Sequence, residues 1–298
     1  MRILYICGDQ GIPAFGRKGA STHIREMIHA FREQGHQVML AAADLSGDRR
    51  GHEDMETVAL PAPKSRKLGL DGRYMWASYQ ARQVLLRAAE KFRPDAIYER
   101  SALYFTAGAW LQKRLGIPRI LEINALLADE QKRRLHMPRV AASCERNLIL
   151  KASGVAAISN HMVGTLEKMG RQPGTTRAFP MAVDPERFRQ PQDPGAVRRQ
   201  LGWPEEDLVL GYVGSMNFYH KPSWFIDLAE KLCRRNHAGV RFLVVGGSQE
   251  KVDRFRGRLL RWVEEGKAYF SGSVPQQELP DWLSAMDAVL VPGAACQS

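Results

Sequence analysis

The chain has 298 residues, 44% apolar and 25% charged, a balance that suits a globular protein with substantial buried cores and excludes disorder, collagen and coiled coil. At roughly 150 residues per domain, this length predicts two domains. No run approaches the roughly 18 consecutive apolar residues of a membrane span, and Met1 to Cys7 meet Gly8 and Asp9 too soon for a signal peptide, so a cytoplasmic protein is expected. Cys7, Cys144, Cys233 and Cys296 are far apart with no CxxC or Cys/His pairing, which predicts buried thiols and neither disulfides nor a zinc site.

The formal net charge is +11, and all of it lies in the first part of the chain. Up to residue 180 there are 28 Lys and Arg against 17 Asp and Glu; beyond it there are 15 of each. Such an excess suits an anionic membrane surface, nucleic acid or a phosphorylated substrate. The cations are dispersed, with local groups at Lys64-Arg66-Lys67 and Lys132-Arg133-Arg134, and no aromatic-interleaved or helix-turn-helix pattern accompanies them. Nucleic acid is therefore not an expected partner.

In chain order, residues 3–7, 37–43, 57–60, 96–98, 119–123 and 155–158 are short apolar runs bounded by turn formers, as for strands buried on both faces. Between them Ile24, Met27, Ile28 and Phe31 follow helical spacing up to Gly35, and Ala77, Ala81, Val84, Leu85, Ala88 and Phe92 form a second stripe that ends before Pro94. Alternation of this kind predicts a mostly parallel sheet with right-handed crossovers. Four prolines, Pro180, Pro185, Pro191 and Pro194, then mark a linker over 181–194, between a first domain of 1–180 and a second of 195–298. The pattern restarts with strands at 208–213, 240–245, 267–270 and 287–291 and helices at 222–235, 249–264 and 276–285. Two doubly wound domains in tandem should bind ligands in the cleft that faces the carboxyl ends of their strands. The second domain is expected to be incomplete, since no helix follows its last strand.

Several groups at strand ends could carry chemistry. The loop 8–20, with Gly8, Gly11, Gly16, Gly19 and two cations before a helix, could cradle phosphate on backbone N–H groups. It matches neither GxGxxG nor GxxxxGK[ST], so dinucleotide and P-loop readings are weak. His23 opens the same helix and either caps it or faces the cleft. Tyr98-Glu99-Arg100 and Glu122-Ile123-Asn124 place carboxylates and an arginine where acceptor hydroxyls would be held. Glu145 and Arg146, on a helix, are expected at the surface. In the second domain Gly214 and Ser215 end a strand, Lys221 precedes Pro222 at a helix start that favours anions, and Gly246-Gly247 and Gly272-Ser273-Val274 put small residues at further strand ends.

Together these segments resemble the GT-B glycosyltransferases of family 4. The resemblance rests on Gly19-Ala20-Ser21-Thr22-His23 with Gly35-His36-Gln37-Val38, Arg93-Pro94-Asp95, Leu121-Glu122-Ile123-Asn124-Ala125, residues 155–159, Val183-Asp184 with Phe188, residues 211–215 and residues 270–274, in family order across nearly the whole chain. It departs at Pro180-Met181-Ala182-Val183-Asp184, where the family has PNGVD, and at Ser215, where the family has arginine. The family's pair of glutamates eight residues apart would follow Val291, beyond the end of the sequence given. The resemblance implies a retaining transfer from a nucleotide-diphosphate sugar to a carbohydrate or lipid-linked acceptor, without cofactor or protein-bound metal, in surface polysaccharide or glycolipid synthesis and possible contact with an anionic membrane. Gly16, Gly19, Gly214, Ser215, Lys221, Gly246 and Val274 would hold the donor, and Glu122, Asn124, His23, Glu99 and Arg100 the acceptor. Other readings of the same fold are a nucleotide-sugar epimerase and a non-catalytic nucleotide-sugar binding module.

Overall fold

The computed structural model describes residues 1–62, 68–183, 185–186, 188–189, 191, 193–216, 221–235 and 239–292. The chain forms two compact units, Met1–Met181 and Ala182–Gln297. In the first, chain order is β1 (Arg2–Cys7), α1 (Gly19–Glu33), β2 (Gln37–Ala42), β3 (Glu56–Ala59), α2 (Gly69–Phe92), β4 (Ala96–Arg100), α3 (Ala107–Leu115), β5 (Arg119–Ile123), α4 (Leu127–Glu130), α5 (Pro138–Lys151), β6 (Gly154–Ala157), α6 (Asn160–Lys168) and β7 (Thr176–Ala178). The seven strands form one parallel sheet in the order β3-β2-β1-β4-β5-β6-β7.

Alternation along β1 shows why the sheet is covered twice. Leu4 and Ile6 point into a core with Ala81, Leu85 and Phe92 of α2 and Leu111 of α3, while Ile3, Tyr5 and Cys7 point to the opposite core with Ile24 and Ile28 of α1. Burying each such aliphatic side chain contributes about 1.5 to 3 kcal/mol. Helix stops follow the local chemistry: Gly35 has φ +75 after α1, and Arg93, which ends α2 just before Pro94, is left-handed at φ +51.

The second unit contains α7 (Ala196–Gln200), β8 (Leu208–Val213), α8 (Pro222–Arg234), β9 (Val240–Val245), α9 (Gln249–Arg258), α10 (Leu260–Glu264), β10 (Ala268–Gly272), α11 (Leu279–Ser284) and β11 (Ala288–Val289). Its parallel sheet runs β10-β9-β8-β11. Tyr212, Phe242 and Val244 pack on Phe225, Ile226 and Ala229 of α8, and Val209, Leu243 and Val245 pack on Val197, Trp203 and Ala285 on the other face. Both units are therefore doubly wound and Rossmann-like, and the α/β class expected from the sequence holds.

Two differences from the sequence reading stand out. The helix expected over 249–264 breaks at Leu259, whose side chain is fully buried and whose N–H bonds back to Arg256 in a tight turn. Cys7 is buried, with its thiol pushed up to about 12 by burial and then by Asp9, but Cys144 and Cys233 are only partly buried, and Cys296 lies outside the described residues. Lys64, Arg66, Lys67 and Asp184 also lie outside them. Among the described residues, no helix is long and apolar enough to cross a membrane.

Candidate active site

Strand register builds the first half of the site. Cys7 of β1 pairs with Arg100 of β4, and Arg100 pairs with Glu122 of β5, so arginine and carboxylate stand side by side at the carboxyl ends of central strands. Helix α1, packed over this face, brings His23 Nε2 to 3.1 Å from Glu122 Oε1. Arg100 Nη1 and Asn124 Nδ2 both donate to the same oxygen, and the Tyr5 hydroxyl donates to Oε2 at 3.5 Å. The side chain of Glu122 is only 4% exposed, those of Arg100 and His23 10% and 12%. Burial alone would raise the Glu122 carboxyl, but the adjacent His23 imidazole and the Arg100 charge prevail and hold it down at about 2. A carboxylate so fully engaged is a poor base. It acts instead as a hub that fixes His23, Arg100 and Asn124 around one point.

Glu99 is not part of this group. One residue along β4 reverses the face, and its side chain enters the opposite core, where Arg119 Nη1 lies 3.2 Å from Oε2. Arg119 is fully buried and also donates to Gln112 Oε1 at 2.9 Å and the Leu148 carbonyl at 2.9 Å. A Cβ on Gly108 would fall 1.8 Å from Glu99 Oε2, so α3 seals the pair. The expectation that Glu99 meets an acceptor is corrected: it is half of a buried structural ion pair. Glu145 is corrected as well. It is partly buried and accepts the Leu127 N–H at 2.7 Å and the Ala128 N–H at 3.3 Å, which anchors α4 to α5, while Arg146 is exposed as expected. Burial, only partly offset by these bonds and reinforced by Asp129 and Glu130, raises its carboxyl to about 7.

The glycine loop is more committed than its composition suggests. The N–H groups of Gly11, Ile12, Ala14, Phe15 and Gly16 go to Asp9 Oδ1 and the carbonyls of Asp9, Asp44, Ser46 and Pro13. Gly16 therefore has no amide to offer a phosphate, and its carbonyl accepts from Arg25 at 2.9 Å. Gly8 is required by close approach, since a Cβ there would fall 2.3 Å from the Phe105 ring. Gly19 differs: it opens α1, has open space at its Cβ position, and follows Lys18, whose side chain leaves the helix end uncapped and donates to the Gly11 carbonyl at 2.7 Å. The anion-binding potential of the loop thus lies at the start of α1 and not at Gly16.

In the second unit the strand ends are close-packed backbone. Gly214 N–H bonds to the Val245 carbonyl at 2.9 Å, and Gly246 N–H to the Gly272 carbonyl at 2.7 Å. Gly246 has φ +107, and a Cβ there would lie 2.2 Å from the Gly214 carbonyl oxygen. Only glycine fits, and the result is a small-residue floor at the ends of β8, β9 and β10. The Ser215 carbonyl accepts from Lys251 Nζ at 3.1 Å, and Val274 packs partly buried against the Leu243 and Val245 core. Lys221 caps α8 in a left-handed conformation, φ 37, with Nζ 4.1 Å from the centre of the Trp224 ring. Pro222 takes the first helical position, where a missing N–H costs no bond, and the helix dipole at this start favours an anion. Tyr5 and Tyr98, rings 5.2 Å apart beneath Glu122, have no role in the site expected from the sequence. Their position on β1 and β4, two residues before Cys7 and Arg100 on the same face, is the signal that would have marked them.

Comparison with known proteins matches residues 18–182 to a glycosyl transferase 4-like domain and residues 207–296 to glycosyl transferases group 1. A 2-deoxystreptamine glucosyltransferase of Streptomyces kanamyceticus is 24% identical over 289 residues, 90% of this chain and 73% of that protein. Sucrose-phosphate synthase from Thermosynechococcus elongatus superimposes with a TM-score of 0.78 at 18% identity, over 98% of this chain and 75% of that one. Anabaena HepE in complex with UDP-glucose gives 0.70 at 18% identity, over 97% and 73%.

Proposed function

The chain belongs to the glycosyl transferase 4-like family and has the GT-B fold of the glycosyltransferases, and on that basis we propose that it moves a sugar from a nucleotide-diphosphate donor to a hydroxyl of a carbohydrate or lipid-linked acceptor, with retention. The glucosyl transfer named for the Streptomyces relative and the UDP-glucose held by the Anabaena protein favour UDP-glucose as the first donor to test. Surface polysaccharide or glycolipid synthesis is the context we assign to it.

The observation that carries this reading is the convergence of His23, Arg100 and Asn124 on Glu122 Oε1 at the carboxyl ends of β4 and β5. In the proposed reaction the bond between the sugar and the diphosphate breaks while the acceptor oxygen bonds the same carbon from the same face. The acceptor proton passes to the departing diphosphate. Charge that builds on that diphosphate needs preorganised dipoles and cations, for which the start of α8 with Lys221 is suited. Glu122 is a positioning residue, and His23 and Asn124 are the groups it holds for the acceptor.

The test is titration of the protein with UDP-glucose and UDP by calorimetry, followed by mass spectrometry of the sugar products with and without an acceptor panel. Acceptor-dependent transfer supports the proposal. A changed free sugar formed without acceptor would instead make the chain an epimerase, and donor binding without any turnover would make it a binding module.

A further inference from the structure

A groove of about 880 Å³ in the first unit lies away from the site described above, at the amino end of β5 beside Pro118. Its walls are α3, which presents Trp110 and Lys113, and α5, on which Cys144, Asn147 and Lys151 follow one another at i, i+3 and i+7 and share a face. Arg82 of α2 completes it. No Asp or Glu lines the groove, whereas three cations do. The Arg82 guanidinium is stacked 5.6 Å from the Tyr79 ring centre and 5.8 Å from that of Trp110, and its buried Nε has no hydrogen-bond partner. Among the described residues, neither Lys113 nor Lys151 has a carboxylate partner. Three uncompensated cations held around one concavity are poised for an anion.

The rim is apolar. Val140 continues the Cys144-Asn147-Lys151 face one turn back along α5 and is 47% exposed, with Met137 a turn before it at 40%. On α2, Tyr79 is 59% and Trp76 46% exposed, with their rings stacked at 5.7 Å. The two helix starts are tied together by Asp71, which accepts the Tyr104 hydroxyl at 2.6 Å, the His136 N–H at 2.9 Å and the Met137 N–H at 3.3 Å. A fixed rim of aromatic and aliphatic side chains beside a cationic pocket suits the boundary between headgroups and acyl chains better than it suits water.

We propose that this groove receives the phosphoryl headgroup of an anionic membrane phospholipid, with Lys113, Lys151 and Arg82 around the phosphate and Tyr79, Trp76 and Val140 sunk at the interface. It is a membrane-docking site separate from the transfer site, which lies at the other end of β5.

Sedimentation of the full chain with phosphatidylcholine vesicles, with and without phosphatidylglycerol, reads binding without donor or acceptor, so its failure is independent of any failure of sugar transfer. Binding should require phosphatidylglycerol and weaken as salt is raised. The double variant Lys113→Gln, Lys151→Gln should bind about thirty-fold less, the product of two charges each worth about 1 kcal/mol near the surface, with its melting temperature and its transfer to a soluble acceptor unchanged. Tyr79→Ser with Val140→Ser should weaken binding at every salt concentration. The proposal is overturned by equal binding of the lysine double variant and wild type. It is equally overturned if Arg133→Gln with Arg134→Gln abolishes binding that the groove lysines do not affect, which would mean diffuse charge. Thermal protection by glycerol phosphate with no vesicle binding would make the groove a soluble phosphate site and overturn the lipid assignment.

Discussion

Adjacent residues on β4 have opposite fates, and that difference can be tested at single positions. Arg100 faces Glu122 in the candidate site, while Glu99 faces Arg119 in the opposite core. Glu122→Gln leaves a shape that fits but removes the charge that aligns His23, so transfer should fall by two orders of magnitude or more with a smaller effect on donor affinity. Glu99→Gln should instead lower stability, by about 3 kcal/mol, because it leaves the Arg119 charge buried and uncompensated. Its kcat in the folded fraction should stay within a few-fold of wild type, as steady-state kinetics alongside urea unfolding will read. A loss of kcat in Glu99→Gln equal to that in Glu122→Gln would place both carboxylates in the site. Lys221 offers a second single-residue test. Its Nζ lies over Trp224 at a helix start, and Lys221→Ala should weaken UDP binding by about 1.5 to 3 kcal/mol in calorimetry. Lys221→Gly, which also relieves the left-handed backbone, should lose the same affinity without losing stability. Unchanged affinity in both would leave Lys221 a solvated cap.

Among the elements, α4 depends on one side chain of α5, and its anchoring should respond to pH. Folding raises the Glu145 carboxyl from an ordinary 4.5 to about 7, so the folded state holds that proton more tightly. The resulting stabilisation is complete below about pH 4.5 and is lost as pH rises through about 7. Glu145→Gln keeps an acceptor for the Leu127 N–H but cannot ionise. Its stability relative to wild type should therefore rise by about 1 to 3 kcal/mol between pH 5 and pH 8, read by urea unfolding at both. A constant difference would show that Glu145 carries no raised carboxyl. Elements also show where sequence pattern suffices. β1, β5, β8 and β9 are apolar runs with clear borders, and β5, β8 and β9 begin and end where the sequence predicts. β7 offers only Thr176-Arg177-Ala178, three residues without alternation, and pairs solely because β6 presents a free edge. The site was half legible for the same reason. His23, Arg100, Glu122 and Asn124 stand at strand and helix ends that periodicity predicts, but their convergence depends on β4 lying beside β5, which no local pattern encodes. The faces of Glu99 and Glu145 depend on partners distant in sequence, Arg119 and Leu127.

For the whole molecule, the two units supply different chemistry on the same architecture. In the first, one face of the sheet ends in a hub of charged side chains around Glu122; in the second, the strands end in glycine backbone at Gly214, Gly246 and Gly272 beside a helix start that favours anions. Side chains that can steer a hydroxyl suit an acceptor, and glycine strand ends that allow close approach, beside a helix dipole, suit a diphosphate. The charge follows a similar division, with the entire +11 excess before residue 180 and the uncompensated cations of the α3–α5 groove within that part. The most direct measurement is proton NMR of the product formed from UDP-glucose, whose glucose is α-linked, and a soluble acceptor. A glucosyl group attached to the acceptor in the α configuration, with UDP released in equal amount, is the result predicted for a retaining transferase. A β-linked product, or UDP and altered sugar released without the acceptor, would contradict it.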